Sequence, residues 1–220
     1  MIGRLLKMCS VVAVVGFMAA ESRADAYSAG RVQSWSDETM TEGSAVLAPL
    51  SFVRFCVTRP SECSPDGAAA EGPDGPEALA ELASVNGIVN RAIRPKNKPA
   101  PHSLGRWAIG PAAGDCNDYA VTKRHELLKR GWSSADLLLA AAETSWGEGH
   151  LVLVVRVGGR ELVLDNLTGA IRPWHATGYR WLKRQSSEDP RRWVSLDDLS
   201  SERTFMASAD PSSWRLRRGG

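Results

Sequence analysis

The amino-acid sequence predicts a domain that combines α-helices with an antiparallel β-sheet. In 77–93 apolar residues recur every three or four positions, and 115–130 has the start and stop signals of a helix. A third segment, 150–164, is an aliphatic run interrupted by two glycines, which is typical of a β-hairpin. The chain has 220 residues, 43% hydrophobic and 24% charged. This ordinary globular composition excludes collagen-like, coiled-coil and wholly disordered classes.

The first 24 residues predict a secretory signal peptide. Arg4 and Lys7 form a basic start, 8–20 is apolar, and small residues follow at the cleavage position. The apolar run is too short for a transmembrane anchor, which needs about 20 residues. We therefore expect 1–24 to be removed and 25–220 to form one domain. The mature protein is expected to be periplasmic or secreted, without stable membrane insertion.

The charge balance changes once the predicted signal is removed. The segment carries three basic residues and one acidic residue, so the mature chain has 24 of each. Its net charge is then about zero. A neutral chain offers no electrostatic argument for a nucleic-acid partner.

Cysteine usage singles out one thiol. Cys9 leaves with the signal peptide, and Cys56, Cys63 and Cys116 remain. In an oxidising compartment an odd number of cysteines leaves a free thiol to explain. Cys56 and Cys63 are seven residues apart across a turn-like segment, so a local disulfide between them is the preferred pairing. Cys116 is then the free thiol.

The segments ahead of this thiol alternate between regular and irregular patterns. The apolar, β-branched residues of 46–57 predict a short strand or a buried extended run, and 61–76 predicts a loop. The helix at 77–93 should pack its apolar stripe on the core. Residues 94–113 contain four prolines around Trp107, whose ring should fill a pocket.

Cys116 is predicted to be the first residue of the second helix. Asp115 is a suitable N-cap, Asp118 takes the place of the acid in a capping box, and Gly131 marks the helix end. The helix dipole and the free N–H groups of the first turn stabilise a thiolate, and the same groups can serve an oxyanion. The alternative is that Cys116 is a small buried apolar residue.

The predicted hairpin places an acid beside a base. A further strand is expected at 137–142. With the two glycines as the turn of the hairpin, Arg156 lies opposite Glu161, a favourable charge pair. His150 is then the diagonal neighbour of Asp165, with Cβ atoms roughly 7 Å apart, a gap that an imidazole and a carboxylate can bridge by a hydrogen bond.

These patterns predict a Cys-His-Asp catalytic set of Cys116, His150 and Asp165. The carboxylate would fix the imidazole tautomer, and the other ring nitrogen would face the thiol. Each residue also has a structural alternative, a satisfied core histidine for His150 and a turn residue for Asp165. His125 lies among charged residues and is predicted to be solvated. No closely spaced Cys/His ligands indicate zinc.

The sequence resembles the bacterial transglutaminase-like cysteine proteinases, a family that includes the periplasmic protease that releases large surface adhesins. Three motifs carry the resemblance: Gly114-Asp115-Cys116-Asn117-Asp118-Tyr119, Gly147-Glu148-Gly149-His150 and Val163-Leu164-Asp165-Asn166. Further matches extend it over roughly residues 50–200: Val89-Asn90, Trp107, Arg184-Gln185-Ser186 and Trp193-Val194. The resemblance implies a papain-like α+β fold, with the cysteine on a helix and the histidine and aspartate on adjacent strands.

The resemblance also implies peptide-bond cleavage with Cys116 as nucleophile, His150 as general base and acid, and Asp165 as the residue that orients the histidine. This chemistry requires no cofactor. For a second oxyanion donor the candidate is Trp107, with the alternative that its ring is a core anchor.

Calcium enters only through the resemblance. The adhesin-cleaving members hold calcium through acidic residues that flank the cysteine in an Asp-Cys-Glu sequence. Here the third residue is Asn117, which offers a carbonyl oxygen but no charge. The candidate calcium ligands are Asp115, Asn117 and Asp118.

The predicted function is that of an exported cysteine endopeptidase, acting as a monomer on a protein substrate, with a large surface adhesin as the candidate. Two alternatives stay open. A transglutaminase would use the same thioester intermediate and pass the acyl group to an amine. A noncatalytic binding module would retain the fold without the chemistry.

Overall fold

The computed structural model describes residues 39–66, 74–96 and 105–196. Its helices are α1, Leu50–Thr58; α2, Gly75–Ala92; and α3, Cys116–Leu128. Two short 3-10 helices span Pro60–Cys63 and Trp174–Ala176.

Nine strands are present in the described ranges. They are β1, Ala45–Val46; β2, Arg94–Pro95; β3, Ala113–Gly114; β4, Leu137–Glu143; β5, Gly149–Val157; β6, Arg160–Leu164; β7, Arg172–Pro173; β8, Arg180–Gln185; and β9, Trp193–Ser195. Seven of them form one antiparallel sheet in the order β1-β9-β8-β4-β5-β6-β7. β2 and β3 form a separate two-residue parallel pair just ahead of α3.

Both faces of the central sheet are buried. Leu137 and Leu139 of β4 pack in the larger core with the three helices, while Leu138 and Ala140 pack in a smaller core on the opposite face. This alternation follows from the two-residue period of a strand. Because both faces are covered, β5 is continuously aliphatic instead of alternating between apolar and polar residues.

The predicted hairpin is confirmed with its register. Arg156 of β5 pairs with Glu161 of β6, and Val157 pairs with Arg160 across the turn. Gly158 and Gly159 both have positive φ, 55° and 72°. A two-residue turn of this kind needs positive φ at both positions, which glycine adopts without strain.

The segment predicted as a strand at 46–57 is mostly helical, and that prediction is wrong. Only β1 is extended, and α1 begins directly after Pro49. Phe52 and Phe55 are buried three residues apart, whereas Val53 and Val57 are exposed. A continuous apolar run conceals such a spacing, because periodicity alone cannot separate a buried strand from a short helix.

The helix α3 is confirmed, but its surroundings differ from the prediction. The side chain of His125 is only 28% exposed and contacts Glu62, with 2.6 Å between Nδ1 and Oε1, so the expectation of a solvated histidine is wrong. Lys123 and Arg124 are buried at 1% and 2% exposure. α3 lies against the sheet, α2 and the segment after α1, and therefore has hardly any solvated face.

The Cys56–Cys63 disulfide is confirmed, with 5.6 Å between the two Cα atoms. Cys116 is the free cysteine of the described ranges. No helix there is long and apolar enough to cross a membrane. The predicted signal peptide, 1–24, lies outside the described residues, so that prediction and the domain boundaries stay predictions.

Candidate active site

Cys116 begins α3 through a complete capping box. The Asp115 carboxylate accepts a hydrogen bond from the Asn117 backbone N–H at 3.1 Å, and the Asp118 carboxylate accepts one from the Asp115 backbone N–H at 3.1 Å. These bonds satisfy N–H groups that a helix start otherwise leaves unpaired. The half-buried Cys116 thus lies at the positive end of the helix dipole.

The strand that leads into the helix is packed tightly against this cap. A Cβ atom at Gly114 would lie 2.5 Å from Oδ2 of Asp118, which is closer than real contacts allow. The second oxygen of Asp118 accepts the Ala108 backbone N–H at 2.9 Å. Asp118 therefore ties the helix start to the segment that carries Trp107.

His150 and Asp165 meet as the hairpin register predicts. Nε2 of His150 is 2.8 Å from Oδ1 of Asp165, and the two side chains are 5% and 3% exposed. His150 is the second residue of β5, and Asp165 directly follows the last residue of β6. Because Nε2 bonds to the carboxylate, Nδ1 is the ring nitrogen that remains available to the thiol.

Cys116 lines the same cleft as His150 and is the second group that favours a charged imidazole. Burial opposes a charge on His150, but the hydrogen bonds and charge interactions with Asp165 and Cys116 outweigh it and raise the pKa of His150 to about 9. The structure therefore brings together all three residues of the predicted set, and its electrostatics favour an imidazolium next to the thiol.

Tyr179, from the loop before β8, completes the surroundings of the carboxylate. Its hydroxyl donates to Oδ2 of Asp165 at 2.5 Å, while the Leu167 backbone N–H donates to Oδ1 at 3.0 Å. The rings of Tyr179 and His150 are edge to face with centroids 5.6 Å apart. Burial raises the pKa of Asp165, but its hydrogen bonds to His150, Leu167 and Tyr179 outweigh this and hold the pKa below the usual value.

Sequence reasoning missed Tyr179. It lies 14 residues after Asp165 and 29 after His150, in a stretch whose apolar residues show no helical or strand period. No local signal marks it, because its role depends on a loop that folds back over the end of the hairpin.

A cleft of about 710 Å³ opens beside the thiol and the imidazole. One wall comes from the start of α3 and from β3, and the opposite wall comes from the ends of β4 and β5 and the residues after Asp165. Trp107 and Leu167 are among the residues that line it. Cys116 and His150 both belong to the lining of this cleft.

Trp107 is 8% exposed and packs against Phe52 and Phe55, with ring centroids 5.9 and 6.2 Å apart. These contacts are those of a core anchor, the alternative given for this residue. Its role as an oxyanion donor stays a prediction.

The three candidate calcium ligands do not form a cation site by themselves. Both carboxylate oxygens of the buried Asp118 accept backbone N–H groups, and Oδ1 of Asp115 accepts two hydrogen bonds from Asn117. Only Asp115 and Asn117 line the cleft. Calcium takes six to eight oxygen ligands. Among the described residues no group of three or more His, Cys, Asp or Glu side chains could hold a metal ion.

Solved structures of Legionella pneumophila LapG show partial similarity to this chain. The calcium-bound form is 19% identical to this chain, and the match covers 73% of this chain and 93% of the LapG chain, with a TM-score of 0.46. A second LapG structure is 22% identical, with coverages of 59% and 75% and a TM-score of 0.46. The EGTA-treated form is also 22% identical, and this chain spans 62% of its length, with a TM-score of 0.43. A search of the curated proteins found no match.

The family comparison covers most of the chain. The family model described as bacterial transglutaminase-like cysteine proteinase matches residues 42–201, a range that contains the capped helix, the hairpin and the cleft. The helices and antiparallel sheet are those that this fold class requires. With its thiol at a helix start and a histidine on the adjoining sheet, the chain belongs to the bacterial transglutaminase-like cysteine proteinase family.

Proposed function

We propose that this protein is an exported cysteine endopeptidase that uses Cys116, His150 and Asp165 as its catalytic residues. The observation that supports this most directly is the 2.8 Å contact between Nε2 of His150 and Oδ1 of Asp165, made beside a cleft that both His150 and Cys116 line. Membership of a proteinase family implies a protein substrate.

In the first step the Cys116 thiolate attacks the carbonyl carbon of a peptide bond in the cleft. His150 holds the proton taken from the thiol, and Asp165 keeps the imidazole oriented and balances its charge. The negative oxygen of the tetrahedral intermediate is stabilised by N–H groups at the start of α3, with Trp107 as the candidate for a second donor.

Collapse of this intermediate breaks the C–N bond, and His150 gives its proton to the leaving amine. The acyl group stays on Cys116 as a thioester. A water molecule then attacks the thioester, with neutral His150 accepting its proton, and the carboxylic acid and free thiol are released. Every proton passes through the one imidazole, which is why its contact with Asp165 beside the cleft supports the proposal.

The substrate proposed first is a large exported surface protein of the adhesin type, cleaved by a periplasmic or secreted monomer. The argument comes from the sequence resemblance together with the predicted signal peptide. The open cleft beside Cys116 accepts an extended chain, which suits a flexible linker of such a protein better than a packed domain.

The test is to incubate residues 25–220 with a mixture of exported proteins and to identify new N-termini by mass spectrometry. Termini that form with the wild type and are missing with Cys116→Ala and His150→Ala are expected, since each variant removes one reacting group. A labelled amine added to the same mixture shows whether water or an amine accepts the acyl group from Cys116. Incorporation of the amine without new N-termini would indicate acyl transfer instead of peptidase activity. The absence of both products, new N-termini and incorporated amine, would contradict an enzymatic role.

A further inference from the structure

The loop that carries Asp165 is tied to α2 by two asparagines one helical turn apart. Nδ2 of Asn90 donates to the backbone oxygen of Asp165 at 2.8 Å, and Nδ2 of Asn86 donates to the backbone oxygen of Gly169 at 3.2 Å. Residues at i and i+4 of a helix share one face. The two amides therefore hold both ends of the loop 165–169 from the same side.

The buried face of α2 is otherwise apolar, with Leu82, Val85 and Val89 in the core. Asn86 is fully buried, and Oδ1 of Asn86 and of Asn90 are buried without a hydrogen-bond partner among the described residues. Burying an amide with half of its capacity unused is unfavourable. Leucine at either position would suit the core better, so the bonds to the loop are the physical reason for the amides.

We propose that Asn90 is a positioning residue for the catalytic carboxylate, because its amide fixes the backbone of Asp165. This inference rests on the proposed function of the Cys116–His150 pair and adds a residue that is not among those lining the cleft. Asn90 acts through Asp165, which must stay ionised and in line with Nε2 of His150 to stabilise the imidazolium.

The pH dependence of this site is set by the titratable groups around the Asp165 carboxylate. They are His150 from β5, Tyr179 from the loop before β8 and Lys123 from α3, whereas α2 presents only the neutral Asn90. Loss of the Asn90 bond frees the carboxylate from its alignment with His150. This change weakens the thiolate–imidazolium pair first at low pH.

The experiment measures the rate at which iodoacetamide alkylates Cys116 between pH 4 and 9. Asn90→Leu is expected to move the low-pH limb of the rate profile upward by about half a pH unit or more. Should Asn90→Leu fail to fold, Asn90→Ala, which also removes the donor, is measured instead.

The matched control is Asn86→Leu on the same helix, which removes the amide that binds the far end of the loop. This control is expected to lower the melting temperature and to leave the low-pH limb of the rate profile at its wild-type position. An equal shift in Asn90→Leu and Asn86→Leu, or no shift in Asn90→Leu, would overturn the proposal.

Failure of the positioning role is distinct from failure of the proposed function, because alkylation needs no substrate. Wild-type protein that reacts only above about pH 8.5, as an ordinary thiol does, would contradict an activated Cys116 altogether. A reactive wild-type thiol with an unshifted Asn90→Leu variant would leave the peptidase proposal standing and remove only the role of Asn90.

Discussion

The His150 imidazole bonds to the Asp165 carboxylate and lines the same cleft as the Cys116 thiol. Both partners stabilise the charged ring, so the pKa of His150 is about 9 instead of the usual 6.5. The raised pKa of His150 affects stability, because a proton that binds more tightly to the folded chain than to the unfolded chain favours folding.

The pH dependence of stability follows from this shift. The contribution of His150 is fully present below pH 6.5 and is lost as the pH rises through about 9, on the order of 3 kcal/mol in free energy of unfolding. Urea unfolding of wild type and His150→Gln at several pH values measures it. The fall between these pH values is expected in the wild type only, and an equal fall in both proteins would rule out His150 as its source.

Tyr179→Phe tests the hydroxyl that supports Asp165. The substitution removes one hydrogen bond from a buried carboxylate and is expected to lower the free energy of unfolding by about 1–3 kcal/mol. The rate of Cys116 alkylation at pH 6 should fall several-fold, because Asp165 then supports the imidazolium less well. Tyr119→Phe is the control, since that hydroxyl donates to the backbone oxygen of Ile93 away from His150. Full reactivity in Tyr179→Phe would contradict the role.

At the scale of elements, the position of Cys116, the candidate nucleophile, depends on how α3 begins. The capping box fixes the first turn, and Asp118 links that turn to the segment before β3. The hairpin of β5 and β6 fixes the other two residues by register alone, since a slip of one residue would turn His150 to the opposite face.

Gly114→Ala tests the close packing of β3 against the cap. The added Cβ would lie 2.5 Å from Oδ2 of Asp118, so the cap must shift, at a cost of roughly 1–3 kcal/mol in stability with reduced alkylation of Cys116. Gly149→Ala is the matched control in the opposite wall of the cleft, where a Cβ meets nothing within 4 Å. Thermal melting and alkylation rates are measured for both variants, and both values should be lower in Gly114→Ala than in Gly149→Ala. Similar values in the two variants would show that the cap tolerates the added Cβ.

At the scale of the whole molecule, long-range contacts close both faces of the sheet. On the larger face, the Cys56–Cys63 disulfide holds the end of α1 beside the 3-10 helix whose Glu62 contacts α3. On the smaller face, the buried Arg184 pairs with Glu161 at 2.5 Å, and Glu161 also accepts the Met40 backbone N–H at 2.8 Å. The bond between Met40 and Glu161 joins segments 121 residues apart.

Replacing the disulfide tests its contribution to the fold. The paired variant Cys56→Ala with Cys63→Ala is expected to lose about 2 kcal/mol in free energy of unfolding, because the closed loop is short. Alkylation of Cys116 should persist under conditions where the variant is folded, since neither cysteine contacts the thiol. Denaturant unfolding with and without reductant checks the first point, and loss of thiol reactivity in the folded variant would contradict the second.

Local patterns determined the elements that carry the site. The spacing in α2, the cap of α3, the two glycines and the charge pair of the hairpin each act over a few residues, so they are readable in the chain. From them followed the position of Cys116 at a helix start and the neighbourhood of His150 and Asp165. The preferred disulfide followed likewise from a separation of seven residues.

Only the tertiary structure decided which segments meet. It made 50–58 a helix by burying one side of an apolar run, and it buried Lys123 and Arg124 by enclosing α3. It also brought Tyr179 and Asn90 to Asp165 from segments 14 and 75 residues away. Such contacts leave no local period or motif, because they depend on the packing of whole elements. The sequence by itself therefore determined the three predicted catalytic residues, and the packing decided what holds them in place.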